Sequence, residues 1–205
     1  MRPLTRLAII GATTLALGIL AFGGWYWVLG GPERHLDGQG PLASRGTSNT
    51  QVTHGFYPSG GPVWTVGIPL CLLQGADPAV LDGPVKGTTV AGDGLRYLGT
   101  RVRVFLPGSQ IELGSTGGFP PTGLGPLQEA AGFHVTHPCQ FSNPDPSVSI
   151  TELDVGVAEF PGSAGGGWMG LDIGYTDRGH HHVLSTGWNI LACGPAMPAV
   201  YCPTT

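Results

Sequence analysis

Apolar and polar positions along this 205-residue chain fall into two regimes. Leu7 to Gly30 reads LAIIGATTLALGILAFGGWYWVLG, an uncharged run long enough to cross roughly 30 Å of hydrocarbon as one helix at about 1.5 Å per residue. After it, apolar residues come in short segments punctuated by Gly and Pro, the pattern of strands and turns. Residues 31–55 (GPERHLDGQGPLASRGTSNTQVTHG) show no sustained apolar period and are expected to be a flexible linker. Residues 56–205 are expected to fold as one β domain.

Within that domain the first run of strand formers is Val63 to Leu73 (VWTVGIPLCLL), followed by a short one at Val85 to Val90. Leu95 to Leu106 (LRYLGTRVRVFL) alternates, with Val102 and Val104 on one side and Arg101 and Arg103 on the other. Such alternation predicts one buried and one wet face, with Gly99 marking a bulge or kink. Gly114 to Gly125 reads as a loop, Pro126 to Ala131 as one helical turn, and Phe133 to Cys139 as a short strand. Ser147 to Phe160 (SVSITELDVGVAEF) changes its apolar phase midway, which a bulge near Thr151 would reconcile. Trp168 to Thr176 and His180 to Ala192 form a hairpin around Asp177-Arg178-Gly179, read as a three-residue loop. Six to eight such strands point to an all-β antiparallel β-sandwich, with an immunoglobulin-like arrangement as one form of it and a partly open barrel as the alternative.

The apolar N-terminal run has an orientation. Arg2 and Arg6 precede it, so residues 1–6 are expected in the cytoplasm and residues 7–30 to act as an uncleaved signal-anchor. Trp25, Tyr26 and Trp27 close its far end, where aromatic rings favour the headgroup level of the membrane interface. A cleaved signal peptide, with Ala21-Phe22-Gly23 as a weak cleavage site, is the competing reading, and the length of the run argues against it. The expected localisation is therefore the cell membrane, single-pass, with the C-terminal domain extracytoplasmic.

Composition narrows the rest. Charged residues are 11% of the chain, against roughly 25% in ordinary soluble proteins, while 36 Gly and 19 Pro suit a turn-rich β domain. With Arg2 and Arg6 set on the cytoplasmic side, the remainder carries 7 basic against 13 acidic residues, a net −6. With Lys86 the single lysine and the arginines dispersed, nothing offers the clustered cations that phosphate backbones require, so no nucleic-acid partner is expected. The expected partners are membrane lipid, through the N-terminal helix, and an envelope protein or other envelope component. Aromatic residues on a face so poor in charge suit the centre of an interface, although Trp64, Trp168 and Trp188 fit a core equally well.

Four cysteines, Cys71, Cys139, Cys193 and Cys202, all follow the anchor, and an even number in an oxidising compartment predicts two disulfides. Three pairings are open. The intervening GPAMPAVY must bend at its two prolines, which favours Cys193 with Cys202 and leaves Cys71 for Cys139.

Candidate chemistry rests on histidines. On a strand His180 and His182 share a face, and together with His137 they form a candidate copper or zinc site, with Met169 available as a soft ligand for copper. His134 lies three residues from His137, which puts the two on opposite strand faces, and no familiar zinc spacing is met. Three histidines beside a turn are more simply solvated rings at a hairpin tip. No nucleophile elbow appears: Gly114-Ser115-Thr116-Gly117 and Gly162-Ser163-Ala164-Gly165 do not fit G-x-S-x-G, and Gly165-Gly166-Gly167 lacks the Lys of a phosphate loop. Glu152, Asp154 and Glu159 share one strand, where carboxylates are expected on the solvated side. The chain is therefore read as a non-catalytic binding module with no cofactor. Metal binding through the histidines and an unrecognised hydrolase stand as alternatives.

Overall fold

Eleven strands carry the described part of the chain. The structure is a computed structural model that describes residues 40–44, 51–54, 63–73, 75–107, 115–123, 125–139, 148–160, 163–198 and 200–202. The expected anchor over 7–30, its interface residues Trp25, Tyr26 and Trp27, and the first part of the expected linker lie outside the described residues. Among the described residues no helix is long and apolar enough to cross a membrane.

The strands are β1 (Leu42–Ser44), β2 (Gln51–His54), β3 (Val63–Leu72), β4 (Ala79–Ala91), β5 (Leu95–Phe105), β6 (Ser115–Gly117), β7 (Gln128–Glu129), β8 (His134–Val135), β9 (Ile150–Glu159), β10 (Gly166–Asp177) and β11 (His180–Ala192). They form two sheets. The first, sheet A, has the order β1-β3-β9-β5-β7, with β6 pairing on β3 beside β1; the second, sheet B, has the order β2-β11-β10-β4-β8. All pairs are antiparallel except β2, which runs parallel to β11 at the edge of sheet B. Two short strands, β1 and β2, thus lie inside the stretch expected as linker. Each is a three- or four-residue edge strand, too short to leave a readable alternation.

One hydrophobic core joins the sheets. Trp64, Val66, Ile68, Leu70 and Leu72 of β3 and Leu153, Val155 and Val157 of β9 meet Leu81 and Val85 of β4, Leu171, Ile173 and Tyr175 of β10, and Leu184, Trp188 and Ile190 of β11. This is period-two alternation read from both sides of a two-layer sandwich. Trp64 and Trp188 are core residues, and Trp168 packs against the same cluster. Across the core the Thr100 hydroxyl donates to the Gly83 carbonyl on the opposite sheet.

Bulges correct the phase of the pattern. In β5 the register with β9 shifts between Tyr97 and Gly99, and Gly99 has φ 143°. Leu95 before the bulge and Val102 after it are therefore both buried despite their odd and even numbers. The bulge expected near Thr151 is not there: β9 pairs without interruption with both neighbours through that point. The phase change arises because Val148 precedes the strand and Ile150, its first residue, lies beside Phe105 on the face away from the core. Pro126 to Ala131 makes no helix; it supplies β7 and then a turn, since Gln128 and Glu129 complete hydrogen bonds on the β5 edge. The last hairpin is tighter than expected. Asp177 pairs with His180, leaving the two-residue loop Arg178-Gly179 with φ of 48° and 78°, as a type I′ turn requires.

Both disulfides form with the expected pairing, Cys71 with Cys139 and Cys193 with Cys202. The second fixes the segment after β11, where Met197 is buried against Gly165 and Gly167 and the Ala196 amide donates to the Ala164 carbonyl at 2.7 Å.

Candidate functional site

A strand in a two-layer sandwich normally buries one face, yet β3 and β9 are buried along both. On the face of sheet A away from the core, cross-strand register sets Arg103 opposite Glu152, and Arg101 and Gly67 on either side of Asp154. Glu152 and Asp154 are 0% exposed and Arg103 is 3% exposed. The face expected to be wet therefore holds a buried ion cluster. Alternation located this face correctly, but alternation reports which residues point together and says nothing of what lies over them.

The cluster has a definite geometry. Arg103 donates to Glu152 Oε1 from Nη2 at 2.5 Å and from Nε at 3.2 Å, and its Nη2 lies 3.4 Å from Asp154 Oδ1. The guanidinium carbon also sits 4.8 Å from the centre of the Phe105 ring. Room for Glu152 comes from Gly67, because a Cβ there would collide with its carboxylate. One residue pair further along β9, Gly156 leaves space for the Phe119 ring, which lies over it and against Gly99. The loop carrying Phe119 is held by two bonds to β3: the Gly118 amide donates to the Val63 carbonyl at 2.7 Å, and the Thr65 hydroxyl donates to the Gly118 carbonyl at 2.6 Å.

Two carboxyls and one guanidinium leave an excess negative charge if both acids ionise. Burial raises the Asp154 pKa to about 8, with the hydrogen bond and charge of Glu152 adding to the effect and Arg103 opposing it. Asp154 is therefore largely neutral near pH 7, and the Arg103 guanidinium hydrogen-bonds to Glu152 alone. Chemically this is a proton-holding site. The sequence signal that could have found it is the register of three charges, Arg103, Glu152 and Asp154, on adjacent strands that also carry small residues at Gly67 and Gly156.

The histidines are arranged differently from the expected ligand set. His182 stacks on Tyr175 with ring centroids 5.2 Å apart, and Gly40 packs against both rings. His181 points to the exposed side, its Nδ1 3.5 Å from Asp82 Oδ2, and His180 is exposed next to the turn. His137 is hydrogen-bonded through Nδ1 to the Thr151 hydroxyl at 3.0 Å, and burial lowers its pKa. Among the described residues no group of three or more His, Cys, Asp or Glu is placed to hold a metal ion. An imidazole beside a hydroxyl is the outline of an activated nucleophile, but Thr151 is fully buried.

No protein-family model matches the chain, and no curated protein does.

The outer face of sheet B is the contrasting surface. Lys86, Asp172 and Ser185 form one cross-strand row on it, with the Ser185 hydroxyl donating to Asp172 at 2.6 Å. Nearer the hairpin lie Asp82, Val183 and His181, all in water, with Val183 49% exposed. Arg178 at the turn pairs with Asp77.

Proposed function

We propose that this protein is a membrane-tethered, extracytoplasmic, non-catalytic binding module whose sandwich is immunoglobulin-like, and that it meets an envelope protein through the outer face of sheet B. The strand order supports the fold reading: β1-β3-β9-β5 and β4-β10-β11 follow the ABED and CFG sheets of that topology, with β2 as an added edge strand parallel to the last. The disulfide is placed differently, joining the end of β3 to the segment before β9 in place of a bridge between the two sheets. The export reading is supported by the N-terminal apolar run with its two preceding arginines and by two disulfides that leave no free cysteine among the described residues.

The observation that carries the binding face is the asymmetry between the sheets. Strands β3 and β9 of sheet A are buried on both faces, whereas sheet B keeps Asp82, Lys86, Asp172, Val183 and Ser185 in water on strands β4, β10 and β11. An exposed apolar side chain, Val183, among polar neighbours is the composition of a protein contact. The decisive experiment is crosslinking of the full chain in its native membrane, comparing wild type with Val183→Glu and Lys86→Glu. Loss of one and the same crosslinked partner in both variants is expected, and a partner retained by both would refute the assignment. Protease protection of the C-terminal domain in sealed cells tests the topology separately.

A further inference from the structure

We propose that Glu152 and Asp154 form a shared-proton switch that holds the loop over residues 118–121 closed on the outer face of sheet A. The carboxyls are neighbours on one face of β9, excluded from water and served by a single guanidinium. One proton on the pair makes the cluster neutral, with Arg103 balancing the remaining carboxylate. Loss of that proton to solvent leaves two carboxylates against one cation in a niche without water. Two adjacent like charges there must be hydrated or separated.

The route for water is the loop. Phe119 covers Gly156, the next residue after Asp154 on the same face; on β3 Thr65 pairs with Gly156 and holds the loop, and Gly67, the next residue on that face, pairs with Asp154. The loop is held by the ring and by the two hydrogen bonds at Gly118, a small hold compared with the continuous ladders of β3, β5 and β9. The strands cannot part without breaking the sheet, so the cover yields first. Among the described residues, the charged groups facing the pair are Arg103 and Arg101 of β5. Arg101 is engaged by Glu129 of β7 at 3.0 Å, which leaves it a half-exposed, already neutralised neighbour. The facing positions of β3, Gly67 and Pro69, and the loop residues Gly118, Phe119, Pro120 and Pro121 carry no titratable side chain. Nothing else on these elements can take up the proton or balance the second carboxylate. This inference is independent of the binding role and of the membrane reading.

Hydrogen exchange on the full chain in detergent micelles, read by mass spectrometry between pH 6 and 9.5 and divided by intrinsic rates, tests it. In wild type the Gly118 amide is expected to lose protection by about tenfold or more with a midpoint near pH 8, while amides of β3 and β9 stay protected. Asp154→Asn cannot lose the proton and is expected to keep Gly118 protected throughout. Glu152→Gln leaves only one carboxylate and is expected to do the same, which preserves the test should one variant fail to fold. Constant Gly118 protection in wild type would overturn the proposal, as would a pH response retained in either variant. Simultaneous loss over all strands would overturn it too, since that is global unfolding and not a switch.

Discussion

Arg103 and Glu152 face each other across β5 and β9, joined by two hydrogen bonds to a single carboxylate oxygen and almost wholly removed from water. A buried pair of this kind adds little net stability over an apolar pair, but removing one partner strands the other. Arg103→Met is therefore expected to destabilise the domain by about 3–5 kcal/mol, and Glu152→Leu by a similar amount. The double variant is expected to recover most of the loss, because no stranded charge remains. Urea midpoints of the four proteins measure this directly as a double-mutant cycle.

Asp154 makes stability depend on pH in an unusual direction. Its folded pKa, about 8, is above the value of 3.8 expected when unfolded, so between those values the folded state binds more protons. Stability from this residue is full below pH about 4, falls as pH rises through the window, and is lost above about 8. Most paired carboxylates do the reverse. Comparison with Asp154→Asn isolates the contribution: the variant is expected to keep its stability while wild type declines as pH rises from about 4 to about 8. Equal pH profiles for the two proteins would refute the assignment.

Gly67 and Gly156 hold the outer face together by lacking side chains. Gly67→Ala would push into the Glu152 carboxylate, and Gly156→Ala into the Phe119 ring. Overpacking of this kind is expected to cost about 1–3 kcal/mol at each site. Pairing Gly156→Ala with Phe119→Ala relieves the clash, so thermal melts should show the double variant less destabilised than the sum of its parts.

The sequence carried the sandwich because its long strands alternate cleanly. Trp64, Val66, Ile68 and Leu70 against Leu153, Val155 and Val157 define a core face that needs no tertiary information. It carried the bulge at Gly99 because a glycine stands inside the strand, and the Cys193–Cys202 bridge because the two prolines between these cysteines make the segment bend. β1, β2 and β7 were not legible: strands of two to four residues exist only because a longer neighbour offers hydrogen-bonding groups. The ion cluster was half legible. Alternation set Arg103 on the face away from Val102, and Glu152 and Asp154 away from Leu153, but it does not report that the face is dry.

The two disulfides are expected to contribute unequally. Cys71–Cys139 spans 68 residues and Cys193–Cys202 spans nine, so chain-entropy reasoning gives about 4 kcal/mol for the first and about 2.5 kcal/mol for the second. The first also fastens the end of β3, where the Leu72 amide donates to the His137 carbonyl and the Cys139 amide to the Leu72 carbonyl. Replacing each pair by Ser and measuring denaturant midpoints should rank them in that order. Hydrogen exchange should show the shorter bridge acting locally, on the segment around Met197.

The histidines give the last prediction. His182 is committed to Tyr175 by stacking and His137 to Thr151 by a hydrogen bond, so recruiting both to one metal ion would break two established contacts. The full chain purified from an oxidising compartment is expected to carry no stoichiometric zinc or copper, and His180→Ala with His182→Ala is expected to leave its metal content unchanged. His182→Ala is instead expected to weaken the packing over Tyr175 and Gly40, by about 0.5–1.5 kcal/mol beyond the area it buries. Elemental analysis and thermal melts on the same samples separate the outcomes. Stoichiometric metal in wild type that disappears in the double variant would restore the histidines as a metal site and overturn their reading as packing and surface groups.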